Sequence, residues 1–395
     1  MTDFDRPYDR SRTHAEKWNA ADLREYFGRD DVLPFWVADM EFRAPPAVIE
    51  GLTERAAEGV FGYETRPSAV ADAIADWQRH RHDWPVDPAQ IRFTQSVLSA
   101  IAALIALCTE EGDGIIIQPP VFFEFRVAIR AHGRKVIRNP LMFEDGRYQI
   151  DFADLEAKAA DPTTSMLILC SPHNPTGRVW SADELKRIGE LCARHNVFVL
   201  ADEIHGDIIY PGQRHRPFLS QAAPEIADHS ALCLSPAKAF NIASVTEAAT
   251  VIPNDALRQR FERFLSRYSM SAPGAFSSVA MERAYRHGEP WLDELLHYLH
   301  DNILFLRAFL DKEVPGVSLV MPEGTYLAWL DFRGLGLETK ALARFLAEDA
   351  RLALNPGYWF GREGAGYARM TIACPRPMLE DGLTRLATAV RQLQG

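Results

Sequence analysis

The chain has 395 residues, 47% of them hydrophobic and 25% charged, with a formal net charge of −11, a composition ordinary for a globular protein with room for two domains. That charge argues against a dominant basic surface for nucleic acid, no run approaches the roughly 20 apolar residues of a membrane span, and the start Met1-Thr2-Asp3-Phe4-Asp5-Arg6 lacks the apolar core of a secretory signal. The five cysteines, Cys108, Cys170, Cys192, Cys233 and Cys374, are odd in number and widely spaced, which suits buried free thiols of a cytoplasmic protein better than a disulfide framework or a zinc site.

Residues 1–46 form an arm that begins polar and turns aromatic at Leu33-Pro34-Phe35-Trp36-Val37-Ala38-Asp39-Met40. It must dock against the rest of the chain, because Phe35 and Trp36 are costly to leave in water. Helices are expected from Pro46 to Val60 and from Ser68 to Arg81, with Phe61 to Pro67 as a loop. The second helix carries Val70, Ile74 and Trp77 on one stripe and takes Ser68 as its N-cap. Val97, Leu98, Ile101, Leu104, Ile105 and Cys108 then repeat at a helical period. Ser96 therefore sits near a helix N-terminus, where free N–H groups favour a phosphate, although any capped helix shares that property.

Further on, Gly114 to Gln118, Met166 to Cys170, Val197 to Ala201, Ala231 to Ser235 and Ala248 to Ile252 read as strands. Val121 to His132 and Ser181 to His195 read as helices, the latter with Ser181 and Glu184 as a capping box. This alternation predicts an α/β fold with a mostly parallel sheet over residues 47–285. A long helix from Pro290 to Glu313 leads into a smaller C-terminal α+β domain, residues 286–395. There Val317 to Val320, Thr325 to Phe332 and Tyr367 to Ile372 are expected as strands and Glu338 to Asp349 as a helix. The cleft between the two domains is the expected substrate site.

Three polar residues each follow an apolar run: Asn174 in Ser171-Pro172-His173-Asn174-Pro175-Thr176-Gly177-Arg178, Asp202 in Ala201-Asp202-Glu203-Ile204-His205, and Lys238 in Ser235-Pro236-Ala237-Lys238. If those runs are neighbouring parallel strands, the three converge at the carboxyl edge of the sheet, where α/β proteins bind ligands. An amide donor, a carboxylate and an amine in that chain order suit pyridoxal phosphate. The cofactor needs a lysine for its Schiff base, a carboxylate for its ring nitrogen and a donor for its phenolic oxygen. No histidine pair has zinc-helix spacing, and no glycine-rich phosphate loop is present.

On these stretches the chain resembles the fold-type-I pyridoxal-phosphate enzymes related to aspartate aminotransferase, and within them the cystathionine β-lyase, or MalY/PatB, branch of the carbon–sulfur lyases. Arg10 to Trp18, Trp36 to Met40, Phe61-Gly62-Tyr63, Lys238 to Ala243, Pro322 to Leu330 and Arg369 to Pro375 match as well. The resemblance implies that Lys238 forms the Schiff base and moves the substrate Cα proton, that Asp202 pairs with the pyridinium and that Asn174 bonds the ring oxygen. Ser96, Val97, Leu98 and Ser235 are expected at the phosphate, Phe122 on the ring face and His205 near Asp202. Arg369 is expected at the substrate carboxylate, with Ala38 and Tyr326 beside the substrate. The resemblance further implies a homodimer in which Tyr63 reaches the neighbouring subunit's phosphate.

The sequence departs from that pattern at Phe122, where tyrosine is usual. Ala237 stands in place of a hydroxyl residue, Thr371 in place of asparagine, and Thr246 where aminotransferases carry a phosphate-binding arginine. The reading is a carbon–sulfur β-lyase acting on L-cystathionine or another cysteine S-conjugate. The alternatives are an aminotransferase or a divergent pyridoxal-phosphate enzyme acting on another amino acid, or a cofactor-bearing regulatory partner protein.

Overall fold

Seven strands form the main sheet of the computed structural model, which describes residues 2–10 and 13–395. Ser11 and Arg12, inside the arm stretch that carries part of the resemblance, lie outside the described residues. In chain order the strands are β1 (Ile91–Thr94), β2 (Gly114–Ile117), β3 (Lys135–Arg138), β4 (Thr164–Cys170), β5 (Phe198–Asp202), β6 (Ser230–Leu234) and β7 (Ala248–Val251), laid side by side as β1-β7-β6-β5-β4-β2-β3. From β3 across to β6 every pairing is parallel, whereas β7 runs antiparallel to both its neighbours. Strands β5 and β6 are buried at every position, which is why they read in the sequence as unbroken apolar runs.

The register places Cys170 beside Asp202 and Asp202 beside Cys233. Those three strands therefore end level, and the segments that follow them emerge along one edge. The helix Val97–Cys108 packs an almost wholly apolar face against this sheet, and its Ser96 cap accepts the Ser99 N–H at 3.1 Å. Helix Ala182–Arg194 has the full Ser181/Glu184 capping box.

Some boundaries differ from expectation for local reasons. Ser68 is the first residue of helix Ser68–His82 and does not cap it; Pro67, with no side chain to donate or accept, holds the cap position. The helix expected from Val121 begins at Phe123. The N–H groups of Val121 and Phe122 are spent on the carbonyls of Phe360 (2.9 Å) and Asn174 (3.1 Å), which pins this stretch to the cavity edge. The stretch from Glu338 divides into the α-helix Thr339–Arg344 and a wider turn over Phe345–Asp349.

A second, antiparallel sheet follows the long helix Glu289–Glu313. Its strands are β8 (Ser318–Val320), β9 (Leu327–Asp331), β10 (Asn355–Pro356) and β11 (Tyr367–Thr371), in the order β8-β9-β11-β10. The arm docks here. Leu33–Pro34 pairs with Leu352–Ala353, and the Phe35 carbonyl accepts the Thr371 N–H at 2.9 Å. Lys17 is buried and bridges Asp39 at 2.7 Å and Glu41 at 2.8 Å, with Arg10 reaching the same carboxylates. Burying that lysine is tolerable because its charge is matched on both sides. All five cysteines are free, and every one but Cys108 is buried.

Gly177 joins the two sheets. Its carbonyl accepts the N–H groups of Glu323 (2.8 Å) and Gly324 (3.1 Å), its φ is +70°, and a Cβ there would lie 2.5 Å from Cβ of Pro322. Gly28 has a similar φ of +76° but nothing within 4 Å of a Cβ. Gly177→Ala is expected to cost about 2–5 kcal/mol, against about 1–2 kcal/mol for Gly28→Ala. Thermal unfolding of the two variants checks this; equal losses would show that the seam has room to yield.

Candidate active site

Asp202 closes β5 at the sheet edge and is buried, with one carboxylate oxygen accepting the Ile204 N–H at 3.2 Å. It makes no ion pair among the described residues, and burial pushes its pKa up to about 7, the Ile204 N–H and Lys238 opposing the shift and Glu203 adding to it. Lys238 follows β6 through a turn fixed by Ser235, whose hydroxyl accepts from Ala237 N–H (3.2 Å) and donates to the Glu247 carbonyl (2.8 Å). Lys238 Nζ donates to the Ala38 carbonyl at 2.6 Å. Enclosure by the fold, reinforced by the Arg369 charge, draws the Lys238 pKa down to about 8.

Asn174 follows β4 and is held from both ends. Its N–H reaches the Cys170 sulfur at 3.4 Å, and its side-chain oxygen accepts from Arg369 Nη1 at 3.1 Å. His173 orders this turn: its ring lies between the Gln118 carbonyl (3.1 Å) and the Thr176 hydroxyl (2.9 Å), and burial lowers its pKa to about 3. It is therefore neutral and fully engaged, unfit to carry protons.

Arg369 lies in β11, across from Asn355 and Trp329. Its Nη2 donates to the Trp36 carbonyl at 2.8 Å and to Asn355 Oδ1 at 2.7 Å, while its Nε has no partner. The guanidinium stacks 5.0 Å from the centre of the Phe360 ring. No carboxylate pairs with it among the described residues, and burial lowers its pKa to about 10. A buried guanidinium without a counter-ion calls for an anion from outside, and its fork suits a carboxylate.

Asp202, Lys238 and Asn174 line one cavity of about 200 Å³ together with Ser96, Val97, Leu98, Phe122, His205 and Ser235. The Val97 and Leu98 N–H groups open the helix and have no acceptor among the described residues. His205 is buried edge-on to Tyr326 at 5.8 Å, with Nδ1 unpartnered, and burial beside Lys238 and Arg369 keeps it neutral. A second cavity, of about 650 Å³, opens from the first, shares Ala38, Leu98, Phe122 and Lys238 with it, and reaches Arg369.

Not every expected residue stands on these walls. Tyr326 is wholly buried and donates its hydroxyl to the Ala38 carbonyl at 2.8 Å, so that it stands behind the arm and fixes the oxygen that Lys238 also uses. Tyr63 is fully solvent-exposed in this single chain, beside the exposed Phe61 and Val60, and lines neither cavity. Sequence reasoning missed Asn355, Glu247 and the outer-wall residues Tyr26, Glu124, Arg126 and Trp359. Asn355 alone left a trace, as a polar residue ending the run Leu352-Ala353-Leu354. The arrangement as a whole suits a ligand that brings a cation to Asp202, a carbonyl to Lys238 and a carboxylate to Arg369.

Comparison with known proteins points the same way. The model of the aminotransferase class I and II family matches residues 30–386. Cystathionine β-lyase PatB of Bacillus subtilis is 41% identical over 98% of this chain and 99% of its own length. The MalY protein of Escherichia coli is 36% identical over the whole of both chains. The crystal structure of cystalysin from Treponema denticola, which contains a pyridoxal 5′-phosphate cofactor, superposes with a TM-score of 0.94 at 34% identity and 100% coverage of both chains.

The unpaired Asp202 gives a pH test. Its folded pKa stands above the ordinary 3.8, so its contribution to stability is fully present below about pH 4 and is lost as pH rises towards 7, by on the order of 4 kcal/mol. Asp202→Asn is therefore expected to raise the melting temperature of the ligand-free protein at pH 8 by several degrees, and to leave it nearly unchanged at pH 4. Calorimetry at both pH values decides; no gain at pH 8 would mean that the carboxylate is solvated.

Proposed function

Because this chain belongs to the aminotransferase class I and II family, we propose that it is a pyridoxal-phosphate-dependent carbon–sulfur β-lyase. Its substrate is L-cystathionine or a related cysteine S-conjugate, and its products are a thiol, pyruvate and ammonia. One observation carries the reading: a carboxylate, an amine and a guanidinium, all enclosed and none ion-paired, surround the same connected space.

The residues present fit the cofactor. Asp202 supplies the counter-charge for a protonated ring nitrogen, and Asn174, whose side-chain oxygen is occupied by Arg369, keeps its NH₂ for the ring oxygen. The first turn at Ser96, Val97 and Leu98 receives the phosphate, with Ser235 stiffening the facing turn. Phe122 covers a ring face. When bound, pyridoxal phosphate supplies a carbonyl for an amine and a ring that withdraws electrons from the substrate Cα.

The rest of the work falls to the chain. With its pKa near 8, Lys238 has a substantial neutral fraction near physiological pH, and it removes the Cα proton as a general base. The Ala38 carbonyl, 2.6 Å away, holds Nζ on the wall common to both cavities. Arg369 fixes the substrate carboxylate, which orients the Cα–H bond towards Lys238. Phe122 has no hydroxyl, so it gives no proton to the departing sulfur; Lys238, protonated by the first step, is the amine in place to do so.

The site residues are assigned on this basis, as is the division into an arm (1–46), a cofactor domain (47–285) and a small domain (286–395). A homodimer is part of the same proposal: the exposed Val60, Phe61 and Tyr63 suit burial against a second copy, whose phosphate Tyr63 would approach. Among the described residues no helix is long and apolar enough to cross a membrane, and the unpaired cysteines suit the reducing cytoplasm.

The purified protein is expected to carry a visible lysine-linked cofactor band and to form pyruvate from L-cystathionine. Lys238→Ala should lose the band and lower kcat by about 10³-fold or more, and Arg369→Lys should raise KM by about tenfold or more. A cofactor that instead turns over to its amine form, restored by a keto acid without pyruvate, would identify a transaminase. Mixing Tyr63→Ala with Lys238→Ala subunits tests the dimer: activity should partly return in hybrids, which hold one intact site, and no recovery would place Tyr63 outside the neighbour's site.

A further inference from the structure

Besides Glu16, which is exposed, two further charged residues on the wall of the outer cavity have no role in the lyase reaction. Glu124 and Arg126 both lie on its wall, partly buried, in the first half of the helix Phe123–Ala131. Neither forms an ion pair or a hydrogen bond among the described residues. Two positions apart on a helix, they are not placed to pair with each other, although both reach the same cavity wall. Glu124 favours the helix N-terminus, but Arg126 opposes the helix dipole so near that end, so local helix stability does not account for the pair.

Much of the remaining wall is aromatic, with Val37, Ala38, Leu98 and Asn355 completing it. Tyr26, Trp36, Phe122 and Trp359 line the same cavity as these charges and as Lys238 and Arg369. A largely aromatic cavity that also offers an anion and a cation, in addition to Lys238 and Arg369, is complementary to a chain of methylene and sulfur atoms that ends in both an ammonium and a carboxylate.

Resting on the lyase reading, we propose that Glu124 and Arg126 are specificity-determining residues that bind the far end of the leaving thiol, Glu124 its ammonium and Arg126 its carboxylate. They select conjugates whose leaving group is itself an amino acid, such as L-cystathionine or L-cystine, over simple S-alkyl cysteines. An uncharged leaving group meets the aromatic wall alone and leaves both charges to water.

Equilibrium titration of the holoenzyme in a Lys238→Ala background reads binding without turnover, with Trp36 and Trp359 as fluorescent reporters in the cavity. The probes are L-cystathionine, L-cystine and S-methyl-L-cysteine. Glu124→Gln and Arg126→Gln are each expected to weaken at least one of the two amino-acid-bearing probes by about tenfold or more, the size of a lost charge-assisted hydrogen bond, and to leave S-methyl-L-cysteine within about twofold. Arg126→Lys should recover part of the loss. Equal weakening of all three probes, or none, overturns the proposal; the S-methyl-L-cysteine arm also controls for folding. Absence of pyruvate from every conjugate in the Lys238-bearing enzyme would defeat the lyase reading while the titration still decided the subsite.

Discussion

Burial of charge without counter-charge organises this structure. Asp202 and Arg369 are buried and Lys238 half-buried around a connected cavity, and none has an ion-pair partner among the described residues. Each such group is unfavourable in the isolated chain, and a protein retains the arrangement when a ligand supplies the missing partners. The surroundings answer this need with dipoles in place of opposite charges. Asp202 receives one N–H, Lys238 one carbonyl, and Arg369 carbonyl and amide oxygens. These contacts set position but leave the charge open, so that a ligand can complete it.

The N-terminal arm does much of that positioning, which is unexpected for a segment so far from the main sheet in the chain. Its Trp36 and Ala38 carbonyls hold Arg369 and Lys238, and Tyr326 braces the second of them from behind. The arm in turn is clamped twice. Lys17 and Arg10 neutralise Asp39 and Glu41 on one side. On the other, Asn241, at a left-handed φ of 54°, bonds the backbone of Met40 and Phe42 from the loop that carries Lys238. A disturbance of the arm thus reaches the Lys238 amine through a single hydrogen bond.

Phe122 gives the site an aromatic wall without a hydroxyl. Its backbone is tied to the Asn174 carbonyl and its ring packs against Phe125 at 5.6 Å, so the aromatic wall is retained while a hydroxyl is absent.

The sequence by itself determined the inner half of the site. Runs such as Phe198–Asp202 and Ser230–Leu234 are legible because strands buried on both faces must be apolar throughout, and the polar residues that end them stand out by contrast. Asn174, Asp202 and Lys238 needed only that local contrast, and the Ser96 helix start only its period. What the tertiary structure alone decided are the contacts between distant segments: the Ala38 and Trp36 carbonyls as partners of Lys238 and Arg369, the withdrawal of Tyr326 behind the arm, the helix that begins at Phe123, and the gathering of Tyr26, Glu124, Arg126 and Trp359 on one outer wall. Backbone carbonyls carry no sequence signal, since every residue has one. Charged residues on a helix look the same in sequence whether water or a cavity faces them, so the identity of the inner groups was written in the chain while their orientation and the outer wall were written only in the packing.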